Sequence, residues 1–378
     1  MAMDSCKGII LKTSYDKMGR TENISILGKT MLEWVSLALY EIPYVAIDNK
    51  EETLLPALIH DSLDLSKEYT VVLYSDTPLI TRKTVSEALE TAKLNSLNVL
   101  RMTRGFVFKT DYIFNAEKIY TDKTYYFDED DFVTAYSFRQ IGFITDILKN
   151  RILTYHMNRG VQFEDPASTF IGCEVSVGVG VKIGANNNIL GKTVIKDGAA
   201  IGRDNSIEDC IIDEGACIEK SKLVHSYVGK NTTVGPFANL RRDNIVGDDC
   251  RIGDFVELKN CRIGNGSKLG HLTYAGDIVM GKQCNVGAGV VFANYDGKDK
   301  HVSHIGDNVF IGSSSTIVAP VTLGDGCFVA AGSVIVQDVP AGALAVARSR
   351  QTIKTDWKGN KYTPVSYTHL TLPTTSRV

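Results

Sequence analysis

The chain lacks several features that would place it quickly. None of its apolar runs approaches the roughly 18 residues that cross a bilayer, so no membrane span is expected. Neither sign of charge prevails, the formal net charge being −3, which leaves no basic excess for a polyphosphate backbone and makes nucleic acid an unexpected partner. The eight cysteines stand singly with no C-x-x-C pair, and Met-Ala-Met-Asp-Ser-Cys-Lys at the start has no apolar signal-peptide core. Reduced thiols in a cytoplasm are the expected setting. Apolar residues at 44% and charged residues at 22% are ordinary for a globular chain, and 378 residues predict two or three domains.

Glycine is scarce in one part and abundant in the other: the first 170 residues hold six of the 33, whereas residues 171–342 hold 26. Two architectures are therefore joined. In the first part Gly8–Leu11, Tyr44–Ile47 and Tyr69–Tyr74 are short runs rich in β-branched or aromatic residues, while Met31–Tyr40 and Lys83–Leu97 carry helical spacing. Alternating strands and helices predict a mostly parallel sheet over residues 1–150. Phe132–Met157 reads as one or two helices leading out, and 151–170 as a linker with a turn at Asp165-Pro166.

From Ile171 a six-residue step takes over: Val177, Ile183, Ile189, Ile195, Ile201 and Ile207 hold one phase, and the step returns, after slips, in three later runs as far as Ile335. That period fits neither a helix nor an ordinary strand. It predicts a triangular solenoid over residues 171–342 in which each unit is a short strand plus a corner, aliphatic residues stack inward, and Gly, Asn and Asp take the bends. The interruptions near Leu223–Val228, Ile263–Ala275 and Asn294–His304 are expected to bulge as loops. Residues 343–378 read as a tail, and Thr363–Val378, with five Thr, two Ser and two Pro, has the look of a foreign segment.

Between residues 234 and 350 the motifs become specific. Val234-Gly-Pro-Phe-Ala-Asn-Leu-Arg241, Asp254-Phe-Val-Glu-Leu-Lys259, Gly266-Ser-Lys-Leu-Gly-His-Leu-Thr-Tyr274, Asn285-Val-Gly-Ala-Gly289, Ala293-Asn-Tyr-Asp-Gly-Lys-Asp-Lys300 and Ala343-Leu-Ala-Val-Ala-Arg348 follow in order. Together they resemble the acetyltransferase half of the bifunctional family that makes UDP-N-acetylglucosamine. The resemblance implies a left-handed parallel β-helix of hexapeptide repeats that assembles as a homotrimer and moves acetyl from acetyl-CoA to the amine of glucosamine 1-phosphate.

Amide formation from a thioester needs a base for the amine proton and donors for the oxyanion. His271, whose ordinary pKa of about 6.5 suits a cytoplasmic base, is the candidate, with Glu257 expected to hold its tautomer. The resemblance implies that Arg241, Lys259, Tyr274, Asn285 and Lys300 bind the sugar phosphate. It also implies that Asn294 and Tyr295 lie beside the reacting amine, that acetyl-CoA runs along Ala288, Ser313 and Ala331, and that Arg348 faces the cofactor's phosphates. The Ala288 amide is a candidate oxyanion donor. Competing readings are a histidine-bound metal at His225, His271, His301 and His304, a cysteine acyl carrier at Cys250, Cys284 or Cys327, and a non-catalytic β-helix scaffold.

The N-terminal part resembles the family's uridyltransferase domain only in pieces. Lys7–Leu11, Gly28-Lys-Thr-Met-Leu-Glu-Trp-Val35 and Val72-Leu-Tyr-Ser-Asp-Thr-Pro-Leu-Ile80 match it, and the last places Asp76 where the family has a Mg²⁺-binding aspartate. The glycine-rich triphosphate loop is replaced by Leu11-Lys-Thr-Ser-Tyr-Asp-Lys-Met-Gly-Arg20, whose single glycine offers few backbone amides to phosphate. Lys12, Lys17 and Arg20 remain candidate phosphate contacts. A shortened, degenerate nucleotidyltransferase-like domain is expected, with Mg²⁺ needed only if uridyl transfer from UTP survives.

Overall fold

The computed structural model describes residues 5–16, 18–50, 53–121, 124–355 and 357, so Lys17, Lys358 and the segment 363–378 lie outside the described residues. In the N-terminal sheet the strand Cys6–Lys12 runs parallel between Tyr44–Asp48 and Tyr69–Tyr74, and a hairpin, Val99–Met102 and Gly105–Lys109, adds antiparallel strands at one edge. Apolar side chains at Ile10, Val71, Leu73 and Val107 are buried on one face beneath the helices Met31–Ala38 and Arg82–Leu94. The first helix starts where Thr30 and Glu33 cap each other's backbone N–H groups. The second stops at Leu94, short of the expected Leu97, because Ser96 takes a left-handed φ of 49°.

One long helix, Phe138–Asn158, follows the sheet; it begins after the Ser137 cap rather than at Phe132, which lies in a 3₁₀ turn. Its first half packs Ile144 and Leu148 against Met31, Trp34 and Leu79, and its second half sends Leu153 into the solenoid core. The stretch 151–170 is thus the end of this helix plus the first coil, whose strand Gln162–Phe163 already pairs with Lys182–Ile183.

The repeat region is a parallel β-helix with three faces of 11, 10 and 9 strands. The first runs from Gln162–Phe163 to Leu344–Ala345, the second from Phe170–Ile171 to Val334–Ile335, and the third from Ser176–Val177 to Thr322–Leu323. Nearly every strand contributes an inward apolar residue, such as Ile252, Leu258 and Ile263 around one coil, buried except at the two ends of the first face, where Phe163 and Ala345 are half-buried. At about 1.5–3 kcal/mol per buried side chain, this continuous column dominates the stability of the coils. Where Ala275 is small, Phe292 in the next coil fills the space.

The slips in the six-residue step have two origins. Partners one coil apart are 18 residues apart at Lys230 and Asp248, but 17 at Asp254 and His271 and 16 at Asn205 and Ser221. Residues are missing from corners there, and single left-handed residues, His225, Asn260 and Asp277, make the tighter bends. Leu223–Val228 is therefore a short corner, and Ile263–Ala275 keeps the six-residue step between the short corners at Asn260 and Asp277; neither is the bulging loop expected. Only Asn294–His304 is an insertion, where partners Lys282 and Asp307 stand 25 apart. Among the described residues no helix is long and apolar enough to cross a membrane.

Candidate active site

At the corner between the first and second faces, successive coils place Phe255, Leu272, Gly289, Ser314 and Gly332 in left-handed conformation. Each N–H from Leu272 onward donates to the carbonyl of the residue stacked one coil before: Asp254 (2.9 Å), His271 (3.3 Å), Ala288 (2.8 Å) and Ser313 (2.9 Å). Asp254, His271, Ala288, Ser313 and Ala331 consequently form one column. Gly287 and Gly312 keep the coils close, since a Cβ on either would strike the backbone of Ser313 or Ala331. Among the described residues the N–H groups of Ala288, Ser313 and Ala331 have no acceptor, leaving a row of donors beside the imidazole.

His271 is half exposed, and its Nδ1 meets the Asp254 carboxylate. A carboxylate only accepts, so Nδ1 carries the proton and Nε2 presents its lone pair. The hydrogen bond from His271 is the main cause that holds the Asp254 carboxyl below the usual range, with desolvation opposing it. The expected partner, Glu257, is elsewhere. With a 17-residue coil the residue stacked on His271 is Asp254, whereas Glu257 stands beyond the corner, stacked on Tyr274 and paired with Arg241 at 3.0 Å. The signal for Asp254 was present in the inward residues, since Leu269 follows Ile252 by the same step.

The second face continues from this corner. Glu257 and Tyr274 point outward, and at its far end the ammonium of Lys259 is held below its ordinary pKa by Lys300, with Arg241 adding to the repulsion and Asp277 opposing it. The spacing from corner to corner is about 10 Å, three residues of strand. Asp277, which the sequence reading missed, accepts from Asn260 (2.7 Å) and from the buried Asn294. Gly276 is a second omission: a Cβ there would lie 2.7 Å from both Tyr274 Oη and Asn294 Nδ2, so only glycine leaves those two side chains in place. In the insertion Tyr295 donates to the Gly297 carbonyl (2.7 Å) and His301 meets Asp296 (2.7 Å), the latter contact pulling the Asp296 carboxyl strongly down.

Two expected residues are not brought to this face. Asn285 points out of the first face, between Lys268 and Phe310, and Arg348 is exposed beyond the last rungs. Trp357 is exposed as well. His225 lies by Asp209 and His304 sits in the third-face ladder, so the four histidines do not converge, and no three metal-ligating side chains gather among the described residues. Cys250, Cys284 and Cys327 are buried, and burial raises their thiols, which removes the thiolate an acyl carrier needs.

Asp76 does not fit a divalent cation. Its Oδ1 accepts from Arg104 Nε (2.7 Å), and its Oδ2 from Arg104 Nη2 and Tyr15 Oη (2.7 Å), so both oxygens are committed. Arg20 is paired with Asp48 (2.7 Å) and Lys12 lies 3.8 Å from the same carboxylate.

A family model described as hexapeptide repeat of succinyl-transferase matches residues 304–337. The proteins called bifunctional protein GlmU match far more of the chain. The one from Clostridium acetobutylicum is 40% identical over 222 residues, 59% of this chain and 49% of its own length. Those of Clostridioides difficile (46% over 216 residues; 57% and 47%) and Heliobacterium modesticaldum (43% over 235 residues; 62% and 51%) agree. This chain resembles the GlmU proteins. It spans about half the length of those relatives. A UDP-N-acetylglucosamine acyltransferase from Campylobacter jejuni is 21% identical over 50% of this chain and 68% of its own, with a TM-score of 0.28.

Proposed function

We propose that the chain is an N-acetyltransferase that moves acetyl from acetyl-CoA to the amine of glucosamine 1-phosphate, on the way to UDP-N-acetylglucosamine. The observation that carries this reading is the second face itself, with an oriented imidazole at one corner and the Arg241, Lys259 and Lys300 cluster at the other. Cations crowded closely enough that Lys300 lowers the Lys259 ammonium favour a dianionic group, and an amino sugar bearing a phosphate spans the gap to the base.

In this mechanism Nε2 of His271 takes the amine proton as nitrogen attacks the thioester carbon. The Ala288 N–H donates to the oxyanion, and collapse expels CoA thiolate. Asp254 keeps the tautomer and stabilises the imidazolium. Ser313 and Ala331 offer further N–H donors to the pantetheine amides, Tyr274, Asn294 and Tyr295 border the sugar, and Arg348 lies towards the cofactor phosphates. Asn285 points out of the first face, away from this corner site, so its expected contact with the sugar phosphate requires a neighbouring copy, as in a homotrimer with sites between subunits. A reducing cytoplasm suits the eight unbridged cysteines.

Thiol release from acetyl-CoA tests the reading: CoA should appear only when glucosamine 1-phosphate is added, and its absence from wild-type protein would end the proposal. The cation cluster adds a pH signature. Because Lys300 pulls the Lys259 pKa down, the phosphate contact is lost at lower pH than for a free lysine. Lys300→Met should weaken binding at neutral pH by about 10–150-fold, a hydrogen bond to a charged group, and move the alkaline rise in KM to higher pH. KM-against-pH profiles of both proteins would show it.

A further inference from the structure

An open α/β sheet takes its ligands beyond the carboxyl ends of its strands, where the strand order reverses. Here that point lies past Lys12 and Tyr74, because the first strand has the second on one side and the third on the other. Side chains of the chain itself fill it. Thr13 donates its N–H to Ser75 Oγ (3.0 Å), and the hydroxyls of Thr13 and Thr21 (2.7 Å) and of Thr21 and Ser75 (3.0 Å) complete a buried cluster. Next to it, the fully buried Asp76 is gripped by Arg104 and Tyr15.

Arg104 is delivered by the tight turn of the edge hairpin. Gly105 at φ 137° lets that turn press on the neighbouring strand, where a Cβ would lie 2.8 Å from the Val72 carbonyl, and the guanidinium lies 4.3 Å from the centre of the Tyr74 ring. With Tyr15 also on Oδ2, the planar fork takes three of the carboxylate's roughly four lone-pair sites and sets a positive charge where a hard cation would stand.

The same domain is bound to the first coil. Leu153 enters the solenoid core, Lys149 donates to the Ala167 carbonyl and lies 4.2 Å from the Phe170 ring centre, and Lys29 pairs with Glu174 at 3.0 Å. Arg151 ties the helix back to the Leu79 carbonyl (2.6 Å) and to Asp131 (2.8 Å). Stacked coils need their open end covered. We infer that the N-terminal domain is a cap on the β-helix whose former ligand crevice is locked by the Asp76–Arg104–Tyr15 clamp, so that it takes neither a divalent cation nor a nucleoside triphosphate. This holds whether or not the corner site transfers acetyl groups.

A clamp and a metal site respond oppositely to one substitution. In the 378-residue chain melted in EDTA, Asp76→Asn leaves Arg104 unpaired and should lower Tm by roughly 5–10 °C, as should Arg104→Gln. A metal-site carboxylate would give an unchanged or raised Tm for Asp76→Asn, which overturns the inference. Wild-type protein titrated with Mn²⁺ and UTP, followed by electron paramagnetic resonance of free Mn²⁺ and by calorimetry, should show no stoichiometric binding of either. One equivalent of Mn²⁺ or of UTP bound in the crevice, lost in Asp76→Asn, would also overturn it.

Discussion

His271→Ala is expected to reduce the turnover of acetyl transfer about 10²–10⁴-fold while KM for acetyl-CoA and for the sugar phosphate changes little, because the ring acts on the proton and the ligands are held elsewhere. Asp254→Asn should be the milder lesion. It keeps the stacking partner, but its amide can donate to Nδ1 and so favour the wrong tautomer, which predicts a drop in kcat with KM unchanged. Glu257→Gln should instead raise KM, since Glu257 partners Arg241 in the cation cluster. Steady-state kinetics on the three variants separate base, orienting group and phosphate site.

The second large effect concerns the scaffold under that ring. Gly253 and Gly270 are successive glycines in one column, yet a Cβ on Gly253 would meet the Gly270 carbonyl, whereas around Gly270 there is nothing within 4 Å. Gly253→Ala is therefore expected to destabilise the protein by about 1–3 kcal/mol and, by displacing the residue before His271, to lower kcat as well. Gly270→Ala should change stability by no more than about 0.5 kcal/mol. Urea titrations of the two variants, with equal slopes, would test the contrast; equal destabilisation would show that the stacking does not set the cost.

The pair explains what a reader of the sequence can and cannot see. The inward residues at six-residue steps announced the β-helix because each coil repeats the same burial demand, and Ile171 to Ile207 held that phase unbroken. Loop positions were harder. A slip in phase can come from an inserted loop or from a missing corner residue, and His225, Asn260 and Asp277 belong to the second kind, with only 294–304 the first. The partner of His271 was hidden in the same way: Glu257 stands 14 residues before it, short of a full coil, and the local 17-residue coil stacks Asp254 instead. Gly276 and Asp277 were invisible as site residues because they act through Tyr274 and Asn294. In the N-terminal domain the loss of the glycine-rich loop was plain from the sequence. The capture of Asp76 was not, since Arg104 comes from a hairpin 28 residues further on.

The central claim is that one corner column both orients the base and receives the thioester. Crystals soaked with glucosamine 1-phosphate and a non-hydrolysable acetyl-CoA analogue test it most directly. The account predicts the sugar amine within hydrogen-bonding distance of His271 Nε2, the phosphate among Arg241, Lys259 and Lys300, and the acyl oxygen on the Ala288 N–H. Ligands bound on another face, with the His271 ring turned to open solvent, would contradict it.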